Sequence, residues 1–301
     1  MILELLREIR DYCNHPWKKT ILFEEIIVWN KLISSLDTID DSQQAINSYL
    51  ELPEFKNNTD SYLFLYGVMQ ALNIQQDAIN NLYTSLFDQK IDWKDQYPEL
   101  YEIREYRNDS IGHPTNRKNN YSFHMITRNS IKKESFEMIS FYPKTGEKTD
   151  YRKIKTIECI DIQRDLISDI LKKTLQELET EFNDHKEKFE DKKLIDLFPQ
   201  TFDYHLTKLY ENDGLMVKVN FKIILKTYSE IKNEISKRYN SFDMMPSIQE
   251  LFDRLDYLLN KLENDIFSLQ GENEFEIYIN SLKLYFQELR NMCEEIDQDF
   301  S

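Results

Sequence analysis

The segment Leu251–Ile296, LFDRLDYLLNKLENDIFSLQGENEFEIYINSLKLYFQELRNMCEEI, decides the fold class of this chain. Its apolar residues recur every three or four positions in two stripes separated by Gly271, which is the period of amphipathic helices. Glycine is favoured just past a helix end, so we expect two antiparallel helices that turn at Gly271. The stripes consist of Leu251, Leu255, Leu258, Leu262, Ile266 and Leu269, and of Tyr278, Leu282, Tyr285, Leu289, Met292 and Ile296.

The helical period extends through most of the chain towards its N-terminus. Residues 60–87 carry apolar side chains on one face, and the run Leu171–Phe189 advances by four and three residues in turn. Only 5 Gly and 7 Pro occur among 301 residues, and 41% of the residues are hydrophobic. This composition predicts long helices around a core and excludes a disordered, an all-β or a glycine-rich nucleotide-binding fold.

One stretch, at about residues 120–161, departs from the helical period. Short β-prone runs there flank a turn at Pro143–Gly146, which predicts a small antiparallel ribbon of two or three strands. We therefore expect a mainly α protein, with the β-ribbon inserted into a helical domain of residues 1–190. Residues 191–301 are expected to form an all-helical C-terminal domain or extension, because a polar run and Pro199 mark a boundary near residue 190.

Charge and cysteine usage narrow the function classes. The chain has 38 Lys and Arg against 54 Asp and Glu, a net charge of −16, which by itself argues against a nucleic acid or an anionic membrane as partner. Its three distant cysteines form no C-x-x-C pair, so neither a disulfide framework nor a cysteine-based zinc site is expected. With no signal-peptide pattern and no long apolar run, the sequence predicts a cytoplasmic protein.

The sequence that follows Pro98 predicts a helix with an arginine in its apolar stripe. Pro98 suits the first helical turn, and Gly112 followed by His113 and Pro114 predicts the end of the helix. A guanidinium among apolar positions needs an anionic partner. That partner is either a carboxylate of the protein, in a structural ion pair, or a substrate phosphate beside His113, which can exchange a proton near neutral pH. The stripe consists of Leu100, Ile103, Arg107 and Ile111.

The run Arg107–His113, RNDSIGH, resembles the signature of HEPN domains. In that family an arginine is followed, after four to six residues, by a histidine, and a polar residue comes directly after the arginine. The resemblance covers about residues 1–190 and implies a HEPN-like helical bundle with the motif at the end of a long helix. Many members are metal-independent ribonucleases of toxin–antitoxin, abortive-infection and CRISPR systems.

The resemblance implies a catalytic site made of Arg107, His113 and Asn108. It implies an endoribonuclease that cleaves single-stranded RNA by attack of the 2′-OH, leaving a 2′,3′-cyclic phosphate, with no metal and no cofactor. Family members act as homodimers whose two motifs form one composite site, and an antitoxin or a trigger protein is a possible further partner. The alternative is a non-catalytic HEPN-type module that only dimerises or binds RNA or protein, and a third reading is a structural all-α protein with a chance motif.

The same spacing occurs twice more in the chain. Arg10 and His15 lie on a helix but precede the expected bundle, and the run from Arg117 to His124 passes from a loop into a strand. The context therefore favours the motif at Arg107 and His113.

A local basic region surrounds this motif. Residues 101–155 hold 12 Lys and Arg and 7 Asp and Glu, a net charge of +5, so the other residues carry −21. Such a region is what binding to a phosphate backbone requires, and nearby aromatic residues can stack on unpaired bases. Ordinary exposed lysines that protect a strand edge are the alternative explanation. The RNA-binding candidates are Arg104, Arg117, Lys118, Arg128, Lys132 and Lys133, and the stacking candidates are Tyr106, Tyr121, Phe123, Phe141, Tyr142 and Tyr151.

Overall fold

The structure is a computed structural model that describes residues 1–55, 58–112, 114, 122–143, 149–210, 214–242, 245–265 and 273–300. These residues contain eleven α-helices and one small antiparallel sheet, which confirms the prediction of a mainly α protein with a β-ribbon. None of the helices in these ranges is both long and apolar enough to cross a membrane. The helices are Ile2–Asn14 (α1), Pro16–Phe23 (α2), Ile26–Glu51 (α3), Asn58–Phe87 (α4), Trp93–Gln96 (α5), Pro98–Arg107 (α6), Thr156–Glu187 (α7), Phe202–Lys208 (α8), Gly214–Tyr239 (α9), Pro246–Asp265 (α10) and Asn273–Asp299 (α11).

The sheet has three strands in the order β1, β2, β3, and both neighbouring pairs are antiparallel. Its strands are Phe123–Ile126 (β1), Ser135–Phe141 (β2) and Asp150–Lys155 (β3). The turn expected at Pro143–Gly146 falls largely on residues 144–148, which lie outside the described residues. One face of the sheet is buried and the other is open, as the alternation of side chains along a strand requires.

The chain divides into two compact units. The first consists of Met1–Tyr12 and Glu25–Leu178, and the second of Cys13–Glu24 and Glu179–Ser301. The sequence predicts a boundary near residue 190, and α7 does end close to it, at Glu187. The division into compact units falls earlier, after Leu178, so the last turns of α7 belong to the second unit. A polar surface run marks where a helix ends, whereas compact units depend on which residues pack together.

Buried glutamines join the helices of the first unit. Gln163 of α7 donates to the Gln75 side chain at 2.9 Å and accepts from Gln76 at 2.8 Å. Gln75 donates to Gln43 of α3 at 3.1 Å, and Gln76 donates to the Leu100 carbonyl of α6 at 3.2 Å. Because buried amides must be hydrogen-bonded, this chain of amides fixes how α3, α4, α6 and α7 align along one another.

The second unit contains the two stripes with which the sequence analysis began. They form α10 and α11, which pack against each other, while Gly271 itself lies outside the described residues. A buried ion pair joins Arg238 of α9 to Asp297 of α11 at 2.8 Å. The Arg238 carbonyl accepts a hydrogen bond from His185 at 2.7 Å, and the His185 ring stacks on Trp17. His185 is therefore a packing residue in this unit.

Candidate active site

The motif lies where the regular helix α6 becomes a π turn. Pro98 begins α6, as expected, and Leu100 and Ile103 are fully buried. The π turn spans Asn108–Gly112 and takes more residues per turn than an α-helix, so it rotates the side chains that follow. The expected stripe therefore fails at Ile111, which is half-buried, while Asp109 and Ser110 are buried in its place (list of the rotated residues).

Neutral amides hold the Arg107 guanidinium. Its Nε and Nη2 donate to the Gln70 side-chain oxygen of α4 at 3.0 and 2.6 Å, and its Nη1 donates to the Asn108 side-chain oxygen at 3.1 Å. Within the described ranges no carboxylate forms an ion pair with Arg107. The half-buried guanidinium is thus oriented by three hydrogen bonds, but its charge is not neutralised by these partners.

Gly112 leaves room for this guanidinium. A Cβ atom at position 112 would lie 2.6 Å from Nη1 of Arg107, which is far inside van der Waals contact. The backbone of Gly112 is not left-handed, so the residue lies within the π turn and does not end the helix in the way the sequence suggested. The close approach of a side chain, and not a positive φ, is the physical reason for glycine here.

The π turn is connected to the sheet through a buried histidine. His124 of β1 has its Nε2 atom 3.6 Å from the Asp109 carboxylate and its Nδ1 atom 2.9 Å from the Ser140 hydroxyl. Its backbone N–H donates to the Pro114 carbonyl at 2.7 Å. Since Ser140 is fully buried, this trio has a structural role and holds the turn that follows Arg107.

Three of the expected site residues have no structural outcome to report. His113, Arg117 and Lys118 lie outside the described residues. Their expected roles, including that of His113 as the proton-transferring residue, stay predictions from the sequence.

The structure separates the remaining basic candidates into two groups. Arg104 forms an ion pair with Asp77 of α4, and Lys133 donates to the backbone carbonyls of Leu50 and Leu52. These two cations have partners within the fold, and their role in RNA binding stays a prediction from the sequence. Two other candidates, Arg128 and Lys132, are exposed.

The competing motif at Arg10 and His15 has other partners. Arg10 forms an ion pair with Asp37 at 2.8 Å. The His15 ring packs edge-on against Phe182, with 4.6 Å between centroids, and burial lowers the pKa of His15 to about 4. A histidine that is neutral near pH 7 among aromatic rings is poorly suited to donate a proton to a leaving group.

Sequence reasoning missed Gln70. It is a neutral residue, far from the motif along the chain, and it lies off the buried stripe of α4. Its one signal is that it interrupts an otherwise apolar exposed face formed by Leu63, Tyr66 and Ile74.

Comparisons of the chain with protein-family models, with curated proteins and with solved structures give no match.

Proposed function

We propose that this protein is a metal-independent endoribonuclease that cleaves single-stranded RNA and acts as a toxin or an antiphage effector. The observation that carries the proposal is the environment of Arg107. A structural ion pair was the competing explanation for this arginine, and its described partners are the neutral side chains of Gln70 and Asn108. An oriented guanidinium without a carboxylate is suited to a substrate phosphate, because its charge is still available.

The proposed reaction is attack of the ribose 2′-OH on the adjacent phosphorus. The 2′ oxygen bonds to phosphorus, the bond to the 5′ oxygen breaks, and the 2′ proton ends on the departing 5′ oxygen. His113 serves this proton transfer, and Arg107 stabilises the charge that develops on the phosphorane. Asn108 orients Arg107 through its side-chain oxygen. The products are a 2′,3′-cyclic phosphate and a 5′-OH.

An exposed face of α4 supports the homodimer that forms part of this proposal. Leu63, Tyr66 and Ile74 are 71%, 41% and 36% exposed, and a Cβ atom at Gly67 would meet no atom within 4 Å. These residues share the helix face that carries Gln70, the residue that holds Arg107. A second copy seated on this apolar face would bring two Arg107 side chains towards one cleft.

The test of the function is cleavage of unstructured RNA in the presence of EDTA. We expect the wild-type protein to produce 2′,3′-cyclic phosphate ends, and Arg107→Ala to reduce the rate by about 10²- to 10³-fold, as for other lost donors to developing charge. His113→Ala should have a similar effect. Arg10→Ala is the matched control and should cleave at the wild-type rate. Full activity of Arg107→Ala would refute the proposed site.

Two further measurements separate this function from a non-catalytic module. Induced expression in a bacterial host should arrest growth, and Arg107→Ala should relieve the arrest. In sedimentation, Leu63→Asp should shift the dimer to monomer, whereas Leu284→Asp, which alters a 58% exposed leucine of α11, should not. A dimer that binds RNA but never cleaves it would support the binding module instead.

A further inference from the structure

The open face of the sheet carries an aromatic and apolar patch. Phe123 of β1 lies directly opposite Phe141 of β2, and Tyr151 of β3 lies opposite Ile139. Tyr151 is therefore diagonal to Phe141, at a spacing within reach of aromatic side chains. Tyr151 is 74% exposed and Met125, in the same patch, is 53% exposed. Exposed clusters of large apolar side chains mark interaction surfaces.

A basic pocket adjoins this patch on the same side of the sheet. The pocket has a volume of about 360 Å³, and Lys132 and Lys153 line it. Neither lysine forms an ion pair with another described residue. Glu137 lies opposite Lys153 in the strand register and is the one carboxylate among the described residues that line the pocket. Its remaining lining groups include the hydroxyls of Thr127, Ser130 and Ser135.

The charge of this region decides which partner fits. Between Ser122 and Lys155 the described residues include six Lys and Arg and three Asp and Glu, whereas the whole chain carries −16. Aromatic rings beside unpaired lysines and hydroxyl groups match a polyanion that also has flat apolar faces. A protein partner would be expected to meet such a patch with apolar side chains and would not need the lysine pocket.

We propose that the open face of the sheet binds single-stranded RNA. Bases stack on Phe123, Phe141 and Tyr151, and phosphates lie at Lys132 and Lys153. The choice of RNA as the ligand rests on the proposed function. The open face would give the ribonuclease an RNA-binding surface that is separate from the cleavage motif.

The strand β1 connects this surface to the motif. Phe123 and Met125 point to the open face, while His124 between them points to the other side and reaches Asp109 in the π turn. RNA on the open face would therefore be separated from the turn that follows Arg107 by one strand. In this proposal the open face of the sheet holds the RNA, and the motif cleaves it.

The binding test uses a fluorescein-labelled oligouridylate whose riboses are all 2′-O-methylated, so that no 2′-OH is available for cleavage. Fluorescence anisotropy in EDTA gives the dissociation constant of the full-length protein. Tyr151→Ala and Phe123→Ala should each weaken binding about 5- to 150-fold, the effect of losing one stacked base. Tyr257→Ala, which removes a 63% exposed tyrosine of α10, is the matched control and should bind like the wild type.

The charges of the pocket provide a second, signed test. The double variant Lys132→Gln and Lys153→Gln should reduce the slope of log affinity against log salt by about 1.4, because each phosphate contact with a single strand contributes about 0.7. Glu137→Gln should have the opposite effect and tighten binding. Thermal melting of each variant checks that it folds.

The outcomes separate this inference from the proposed function. If wild-type protein cleaves RNA but the face variants bind it normally, the inference is wrong and the nuclease proposal stands. If the protein binds the probe through this face and never cleaves RNA, the inference stands and the nuclease proposal fails. If no probe binds, or if Tyr151→Ala instead abolishes a complex with a purified protein partner, the face is not an RNA surface.

Discussion

Substitution of one glycine by alanine tests whether the position of the Arg107 guanidinium matters for cleavage. In Gly112→Ala the new Cβ atom would lie 2.6 Å from Nη1 of Arg107. The backbone at this position is not left-handed, so alanine is allowed there and the protein should fold. The flexible end of Arg107 must then move away from Gln70 and Asn108.

The size of the effect follows from that distance. Non-bonded atoms approach to about 3.5 Å, so the end of the guanidinium has to shift by about 1 Å. A misplacement of about 1 Å costs about 10²-fold in rate, which corresponds to about 2.7 kcal/mol of transition-state stabilisation. The free energy of unfolding should change by less than about 1 kcal/mol, because the lower entropy of the unfolded chain offsets weakened hydrogen bonds.

The assay compares initial cleavage rates and melting temperatures of Gly112→Ala and of a control, Leu284→Ala. The control alters a 58% exposed leucine of α11, away from Arg107 and from the proposed dimer face, and should cleave at the wild-type rate. We expect the rates of the two variants to differ by about 10²-fold. If Gly112→Ala cleaves as fast as Leu284→Ala, the guanidinium does not act at the position seen here.

Three further predictions concern charge, packing and pH. Gln70→Glu places a carboxylate beside Arg107. The attraction between the two charges is about 4 kcal/mol at 4 Å, and solvent reduces it to about 1–2 kcal/mol. The variant should therefore cleave about 5- to 30-fold more slowly in rate assays, without a lower melting temperature. Gln163→Leu removes three buried hydrogen bonds, with Gln76, Gln75 and the Leu72 carbonyl, and should cost about 2–5 kcal/mol in urea unfolding. Burial lowers the pKa of His15 to about 4, so between pH 6.5 and 4 the unfolded chain binds a proton that the folded chain does not. The free energy of unfolding should therefore decrease as the pH is lowered from 6.5 to 4. His15→Phe should remove about 2 kcal/mol of that decrease in thermal melts, and an unchanged pH profile would contradict the prediction.

The helices and the ribbon could be predicted because their signals are local. The start of α6 at Pro98 and the buried positions Leu100 and Ile103 follow from a period that each short segment carries by itself. The same period placed Arg107 beside those residues. The β-prone runs around the Pro/Gly turn are equally local, and the structure has strands at Ser135–Phe141 and Asp150–Lys155.

The details of the site depend on contacts between distant segments, which a local pattern does not contain. The π turn changes which residues of the motif are buried, so Asp109 replaces Ile111 on the inner side. Gln70 reaches Arg107 only because α4 and α6 are aligned by buried amides. The division into units falls after Leu178, in the interior of the continuous helix α7, where the local sequence carries no boundary signal.

Two arginines of α6 show how the fold treats the same side chain in two ways. Arg104 and Arg107 are one turn apart and both reach α4, where Arg104 meets the carboxylate of Asp77 and Arg107 meets the amide of Gln70. A carboxylate at position 70 would give the second arginine the ion pair that the first already has. The neutral residue therefore leaves a half-buried charge without a carboxylate among the described residues, which is unfavourable for folding.

The other departures from regular structure occur at the same side chain. A π turn is less favourable than continued α-helix, and a glycine within a helical segment costs about 1 kcal/mol relative to alanine. Here the π turn begins directly after Arg107, and Gly112 makes room for its Nη1 atom. Proteins break local rules mainly where function requires it. Three unfavourable features that meet at one guanidinium are better explained by a ligand for its charge than by packing.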